Sequence, residues 1–270
     1  MHDESHHHGL PHDLKVLHRR QLLRLTAGVG VMTLFACSDD GSAIDEDTGA
    51  TTDNTTGDNP TGGGSCTSIP EETAGPYPGD GSNGANALIL TGIVRSDIRT
   101  SIVDASGTAD GVPLTITLTI VDNTCTPLAN HAVYLWHCDR DGAYSMYTGS
   151  ASAENYLRGV QETDADGKVT FLSIFPACYS GRWPHIHFEV YPSLTATDDA
   201  GNKLRTSQLA MPKAACDVVF ATTGYEASVT NLTQVSLASD NVFSDGSDQQ
   251  LADLSGSVAA GYTATLTVPV

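Results

Sequence analysis

The 270-residue sequence predicts an all-β fold: an antiparallel β-sandwich core with long loops, preceded by a cleavable signal and a flexible tether. Three observations carry that prediction. From about Cys66 onward, short β-favouring runs are separated by Gly, Pro, Asn and Asp, the residues that punctuate strands. Residues 113–120 alternate strictly, with Leu114, Ile116, Leu118 and Ile120 facing one way and threonines the other. Beyond residue 37, no segment keeps an apolar 3.6-residue period over three turns.

Residues 1–37 read as an export signal. His18-Arg19-Arg20-Gln21-Leu22-Leu23-Arg24 precedes a mainly apolar stretch over residues 25–36. A basic region, a short apolar region and a small residue before a cut site are the parts of such a signal. The paired arginines resemble the twin-arginine class. Leu34-Phe35-Ala36-Cys37 resembles a lipobox, which makes Cys37 a candidate lipid anchor and the cell envelope, periplasm or exterior the expected location. The apolar stretch is shorter than the roughly 18–20 residues that span a bilayer. Residues 38–65 are rich in Gly, Thr, Asp, Asn and Ser, with too few apolar groups to offset ordering entropy, and are expected to form a flexible linker.

Residues 66–270 fit a single all-β domain. A turn at 126–130 leads into the β-favouring run 131–136. The turn Asp164-Ala165-Asp166-Gly167 precedes the run 168–174, and residues 262–268 alternate again. Residues 212–258 carry no legible motif. Five cysteines follow the signal: Cys66, Cys125, Cys138, Cys178 and Cys216. In an oxidising compartment disulfides are expected; connectivity is open, with Cys178–Cys216 the favoured pairing.

The whole chain carries 13 Lys and Arg against 32 Asp and Glu, a formal net charge of −19. Phosphate binding needs clustered cations, so a nucleic-acid partner is excluded. Six of the ten histidines lie within residues 1–18 and would leave with the signal, so only His131, His137, His185 and His187 remain. In Pro184-His185-Ile186-His187-Phe188-Glu189-Val190-Tyr191, strand alternation sends Ile186, Phe188 and Val190 to the core and both imidazoles to the opposite face, close enough to share one ion. No cysteine pair lies nearby, and Glu189 is the one carboxylate at ligand spacing. Tyrosines do occur in turn settings: Tyr144 ends Asp139-Arg140-Asp141-Gly142-Ala143-Tyr144, and Tyr179 lies in the Pro- and Gly-punctuated loop 175–182. Phenols ionise near 10 in water, and a strongly charged cation can hold them as phenolates. Two phenolates and two neutral imidazoles suit a hard trivalent ion such as Fe(3+).

Four stretches carry a resemblance to the intradiol ring-cleavage dioxygenases, a family that includes protocatechuate 3,4-dioxygenase and catechol 1,2-dioxygenase. They are Pro70-Glu71-Glu72-Thr73-Ala74-Gly75-Pro76-Tyr77; Tyr134-Leu135-Trp136-His137-Cys138-Asp139 through Tyr144-Ser145; Leu157-Arg158-Gly159-Val160 through Gly167; and Tyr179-Ser180-Gly181-Arg182-Trp183-Pro184-His185-Ile186-His187. The resemblance implies a non-haem Fe(3+) cofactor held by Tyr144, Tyr179, His185 and His187, with Tyr144 the equatorial and Tyr179 the axial tyrosinate. It implies that Arg182 offsets negative charge on the substrate ring and that Gln208 lies beside the substrate, with Arg182, Tyr179 and Gln208 the catalytic groups. The implied partners are a small aromatic diol and O2, and the product a cis,cis-muconate. Trp136 and His137 are read as core or supporting residues, Tyr147, Tyr156 and Tyr191 as packing, and Trp183 as pocket lining or packing. The rival readings are an exported metal-binding β-sandwich lipoprotein with copper or zinc on the histidine pair and no oxygenase activity, and a purely structural sandwich. The identity of the diol and the oligomeric state stay open.

Overall fold

The computed structural model describes residues 65–270. The export signal, Cys37 and the linker up to Gly64 lie outside the described residues. Eight strands form two four-stranded sheets. In chain order they are β1 (Pro113–Val121), β2 (Ala132–Trp136), β3 (Arg158–Glu162), β4 (Lys168–Ile174), β5 (His185–Tyr191), β6 (Arg205–Ala210), β7 (Asp253–Ser257) and β8 (Gly261–Pro269). The first sheet has the order β4-β1-β8-β7 and the second β3-β2-β5-β6. The sandwich is therefore the fold the alternation predicts, with one departure. β1 and β8 run parallel, Leu114 opposite Tyr262 and Ile120 opposite Val268. A parallel pair needs a long crossover. Here the intervening chain builds the whole second sheet before returning.

The core lies between the sheets. β1 contributes Leu114, Ile116, Leu118 and Ile120, and the second sheet contributes Val133, Leu135, Ile186, Phe188, Val190 and Leu209, all fully or almost fully buried. Each buried side chain of this size contributes roughly 1.5–3 kcal/mol of apolar transfer. The second sheet is also covered on its outer face. Tyr134, Trp136, Val160 and Tyr191 pack there with Ala87, Leu88 and Ile93 from the long N-terminal loop. β2 and β5 are consequently buried at every residue.

Two short helices, α1 (Lys213–Phe220) and α2 (Glu226–Leu232), occupy the stretch without a legible motif. At two turns each, they are too short to show a sustained period. Phe220 and Tyr225 stack on each other, and Phe220 meets Phe175 edge-on.

The disulfide differs from the favoured pairing. Cys66 joins Cys125, while Cys138, Cys178 and Cys216 are free and buried. The Cys66 N–H donates to the Asn123 carbonyl, which brings the start of the domain to the β1–β2 turn. The Cys178 thiol instead donates to the Arg182 carbonyl, and the Cys216 thiol faces the Met211 carbonyl.

Candidate metal centre

The outer face of β5 positions two of the predicted donors. His185 and His187 follow one another on that face, with Nε2 atoms 3.1 Å apart. The Nδ1 of His185 lies against the Trp183 carbonyl, which leaves its Nε2 lone pair free to bind an ion. His187 has no protein partner for Nδ1 among the described residues. Its ring is instead stacked on Trp136, the residue opposite it on β2, with centroids 4.8 Å apart and planes within 7°.

Tyr144 arrives from the turn after β2. Asp139 organises that turn: its Oδ1 accepts from the Asp141 and Ala143 N–H groups, and its Oδ2 accepts from the Tyr156 hydroxyl. Gly142 adopts φ +85° there, and a Cβ on it would meet the Tyr179 Cβ at 3.1 Å. Both the positive φ and this close approach of the two tyrosine loops favour a residue without a side chain here. α2 holds the Tyr179 loop. Ser228 Oγ accepts from the Cys178 N–H, and Asn231 Nδ2 donates to the Cys178 carbonyl.

The result is a tight set of four donors. Tyr144 Oη lies 3.4 Å from Tyr179 Oη, 3.4 Å from His185 Nε2 and 3.3 Å from His187 Nε2, and Tyr179 Oη lies 3.3 Å from His185 Nε2. With the 3.1 Å between the imidazoles, five of the six separations among these four atoms lie between 3.1 and 3.4 Å, close enough for the atoms to share one ion. Among the described residues, no group of three or more His, Cys, Asp or Glu gathers as a metal site. The phenolic oxygens are what complete this donor set. Burial pushes the Tyr179 phenol up to about 12 and the Tyr144 phenol well above its ordinary range. Burial also holds His185 and His187 well below theirs, so both rings stay neutral. Neutral imidazoles can donate lone pairs, but the phenols need a strongly charged cation to ionise. The donors fit such an ion.

Arg182 stands beside this set and acts electrostatically on all four donors. Its Nη2 donates to Gln208 Oε1 at 2.7 Å, and Gln208 Nε2 donates in turn to the Thr73 carbonyl. Gln208 faces His187 across the β5–β6 ladder. The structure thus brings together Tyr144, Tyr179, Arg182, His185, His187 and Gln208. The other sequence candidates lie apart from the four donors. His137 is buried between Ser173 Oγ and the Cys138 carbonyl; desolvation, helped by the charge of Arg158, outweighs the raising effect of the Cys138 carbonyl and holds it down to about 4. His131 sits at the turn before β2, against the Ala129 carbonyl. Trp183 packs in the sandwich core, donating to the Met211 carbonyl. Glu189 is fully buried with Lys203 and Tyr191.

Comparison with known proteins agrees with this geometry. A family model described as "Dioxygenase" matches residues 93–186, a span that takes in Tyr144, Tyr179, Arg182 and His185. The sequence is 36% identical over 93 residues to catechol 1,2-dioxygenase 2 of Acinetobacter lwoffii, covering 34% of this chain and 33% of that protein. The chain thus matches about a third of that curated relative's length. The structure of an intradiol ring-cleavage dioxygenase from Tetranychus urticae superposes with a TM-score of 0.59 at 25% identity, covering 76% of this chain and 94% of that one. Over residues 93–186 and in its fold, this chain is similar to dioxygenases, among them a structurally known intradiol ring-cleavage dioxygenase.

Two residues have roles that sequence reasoning missed. Arg158 is almost wholly buried and donates to Ser145 Oγ, the Ser145, Tyr77 and Pro78 carbonyls and the Tyr134 hydroxyl. It ties the N-terminal loop to the Tyr144 turn, and a Cβ at Gly79 would lie 2.7 Å from its Nη1. Its place in the matching stretch Leu157-Arg158-Gly159 was the available signal. The second is Asp240, in the stretch without a motif, where no signal existed.

Proposed function

We propose that this chain is a non-haem Fe(3+) intradiol dioxygenase that cleaves a catechol-type aromatic diol between its hydroxylated carbons with O2, giving a cis,cis-muconate-type product. The observation that carries the reading is the meeting of two phenolic oxygens and two imidazole nitrogens, five of their six separations between 3.1 and 3.4 Å, beside a guanidinium. Tyr144, Tyr179, His185 and His187 would hold the ion, the two phenolates offsetting most of its charge. Ferric iron, when bound, supplies Lewis acidity and an acceptor for ring electron density.

The chain's own groups do the rest. Tyr144, His185 and His187 are buried, whereas Tyr179 is half-buried and is the donor nearest solvent. That exposure makes Tyr179 the phenolate on the side where a diol would enter, and a phenolate there can accept a hydroxyl proton at Oη. Arg182 would stabilise negative charge on the ring, an effect enlarged by exclusion of water. Gln208, fixed between Arg182 and Thr73, holds the guanidinium toward the site. We further propose export by the twin-arginine route and a lipid anchor at Cys37.

Purified protein loaded with iron and offered a panel of catechols is expected to consume O2 and diol one to one and to yield a cis,cis-muconate identified by mass and NMR. Zinc- or copper-loaded protein is expected to do neither. Absence of ring-cleaved product with iron bound would contradict the proposal.

A further inference from the structure

Arg182 is held from two sides. Gln208 on β6 takes one side, and Asp240 takes the other. Asp240 Oδ2 accepts from Arg182 Nε at 2.9 Å and Oδ1 lies 3.5 Å from Nη2, so the carboxylate lies along the Nε–Nη2 edge of the guanidinium. Its side chain has no solvent exposure. It is itself fixed by three backbone donors: Trp183 N–H at 2.7 Å on Oδ2, and Val242 N–H at 2.8 Å and Phe243 N–H at 3.2 Å on Oδ1. Val242 and Phe243 are buried in the sandwich core, so the carboxylate is anchored to the fold. The Nη1 arm takes no part in this clamp.

A buried Arg–carboxylate pair carries a desolvation cost that isosteric apolar packing would avoid. A free arginine would also lose affinity for one orientation, since its long side chain has several rotamers of similar energy. From this geometry we infer that Asp240 is a positioning residue: it fixes the plane of the Arg182 guanidinium through Nε and Nη2 and so sets how that cation is presented beside the donor set. The inference rests on the dioxygenase reading for its catalytic consequence, but not for the clamp. It also gives the segment 212–258 a part in the site, since that segment delivers Asp240 to Arg182 58 positions earlier in the sequence. Asp240 makes no hydrogen bond to the four donors; its hydrogen bond toward the site is the one to Arg182, and its charge bears on the Tyr179 phenol from a distance.

Two readouts test it on the full chain. The first needs no metal and no turnover: the Arg182 Nε–H resonance, assigned by its disappearance in Arg182→Lys, is expected to exchange slowly with solvent in the wild-type protein and rapidly in Asp240→Asn. The second uses iron-loaded protein: Asp240→Asn is expected to lower kcat at least about 10-fold, the scale of lost supporting contacts at metal sites, with iron content and the visible tyrosinate-to-iron band retained. Asp240→Glu is expected to recover part of both. An unprotected Nε–H in the wild type, protection that persists in Asp240→Asn, or turnover of Asp240→Asn within twofold of wild type would each overturn the inference. So would loss of the band together with turnover, since that marks a structural role. If Asp240→Asn does not fold, the wild-type and Asp240→Glu exchange rates decide. A wild-type protein with a protected Nε–H but no turnover of any diol would refute the dioxygenase reading and leave the clamp standing.

Discussion

On β1 the outward residues Thr115, Thr117 and Thr119 are half-exposed, while on β5 the outward residues His185, His187, Glu189 and Tyr191 are all buried. Both strands send alternate aliphatic side chains into the same core. The difference is what lies outside. The first sheet presents its outer face to water, and its cross-strand contacts are of the kind Thr117 makes with Thr170, hydroxyl to hydroxyl at 3.1 Å. The outer face of the second sheet is roofed by the N-terminal loop and by the turn carrying Tyr144. Polar side chains beneath a roof must find partners. Glu189 finds Lys203 and Tyr191, and Arg158 finds five acceptors. The phenolic oxygens and the imidazole Nε2 atoms face one another, at a spacing that an ion would satisfy. A roofed polar face is costly to build, and here it holds the candidate metal centre.

The largest effects are expected under the roof. Tyr144→Phe or His185→Ala should reduce iron content and turnover more than about 100-fold, beyond the range seen for supporting residues, as read by metal analysis and product formation. Equal iron binding by either variant would detach that side chain from the centre. Arg158→Met should destabilise the domain by about 3–5 kcal/mol in denaturant unfolding, because it strands several buried acceptors. In the shared core, Leu118→Ala should cost about 2–5 kcal/mol while leaving the metal content of the folded protein unchanged. On the open face, Thr117→Ser should fall within about 0.5 kcal/mol of wild type and leave turnover intact. A Thr117 variant with weakened iron binding would mean that the two outer faces are not independent.

Acid sensitivity sharpens the same contrast. Asp80 lies under the roof; desolvation raises its pKa, but bonds from Ser82 and the charge of Lys203 outweigh it, leaving the carboxyl below its ordinary 3.8. A depressed carboxylate stabilises the fold above its unfolded pKa and loses that contribution as pH falls through the folded value. Asp80→Asn should therefore flatten the fall in stability below about pH 4, measured by thermal unfolding across pH. An unchanged acid slope would remove Asp80 from that account.

The parts of this molecule legible in the sequence are those whose physics is local. Strand alternation placed β1, β4 and β5 and sent His185 and His187 to a common face. The turn at Asp139–Gly142 placed Tyr144, and the resemblance supplied Arg182 and Gln208. What stayed hidden depends on contacts far apart in the chain. The parallel insertion of β8 beside β1 follows from a long return path, the Cys66–Cys125 disulfide from where the domain's first residues dock, and the Asp240 clamp from a loop meeting a strand end. Helices α1 and α2 were hidden for another reason: each is too short for its apolar spacing to stand out.

The central claim is most directly tested by the visible absorption of the iron-loaded protein. Two tyrosinates on ferric iron predict a charge-transfer band that shifts and weakens in Tyr179→Phe and disappears in Tyr144→Phe combined with Tyr179→Phe. A colourless protein with stoichiometric iron, or a band indifferent to both substitutions, would contradict it.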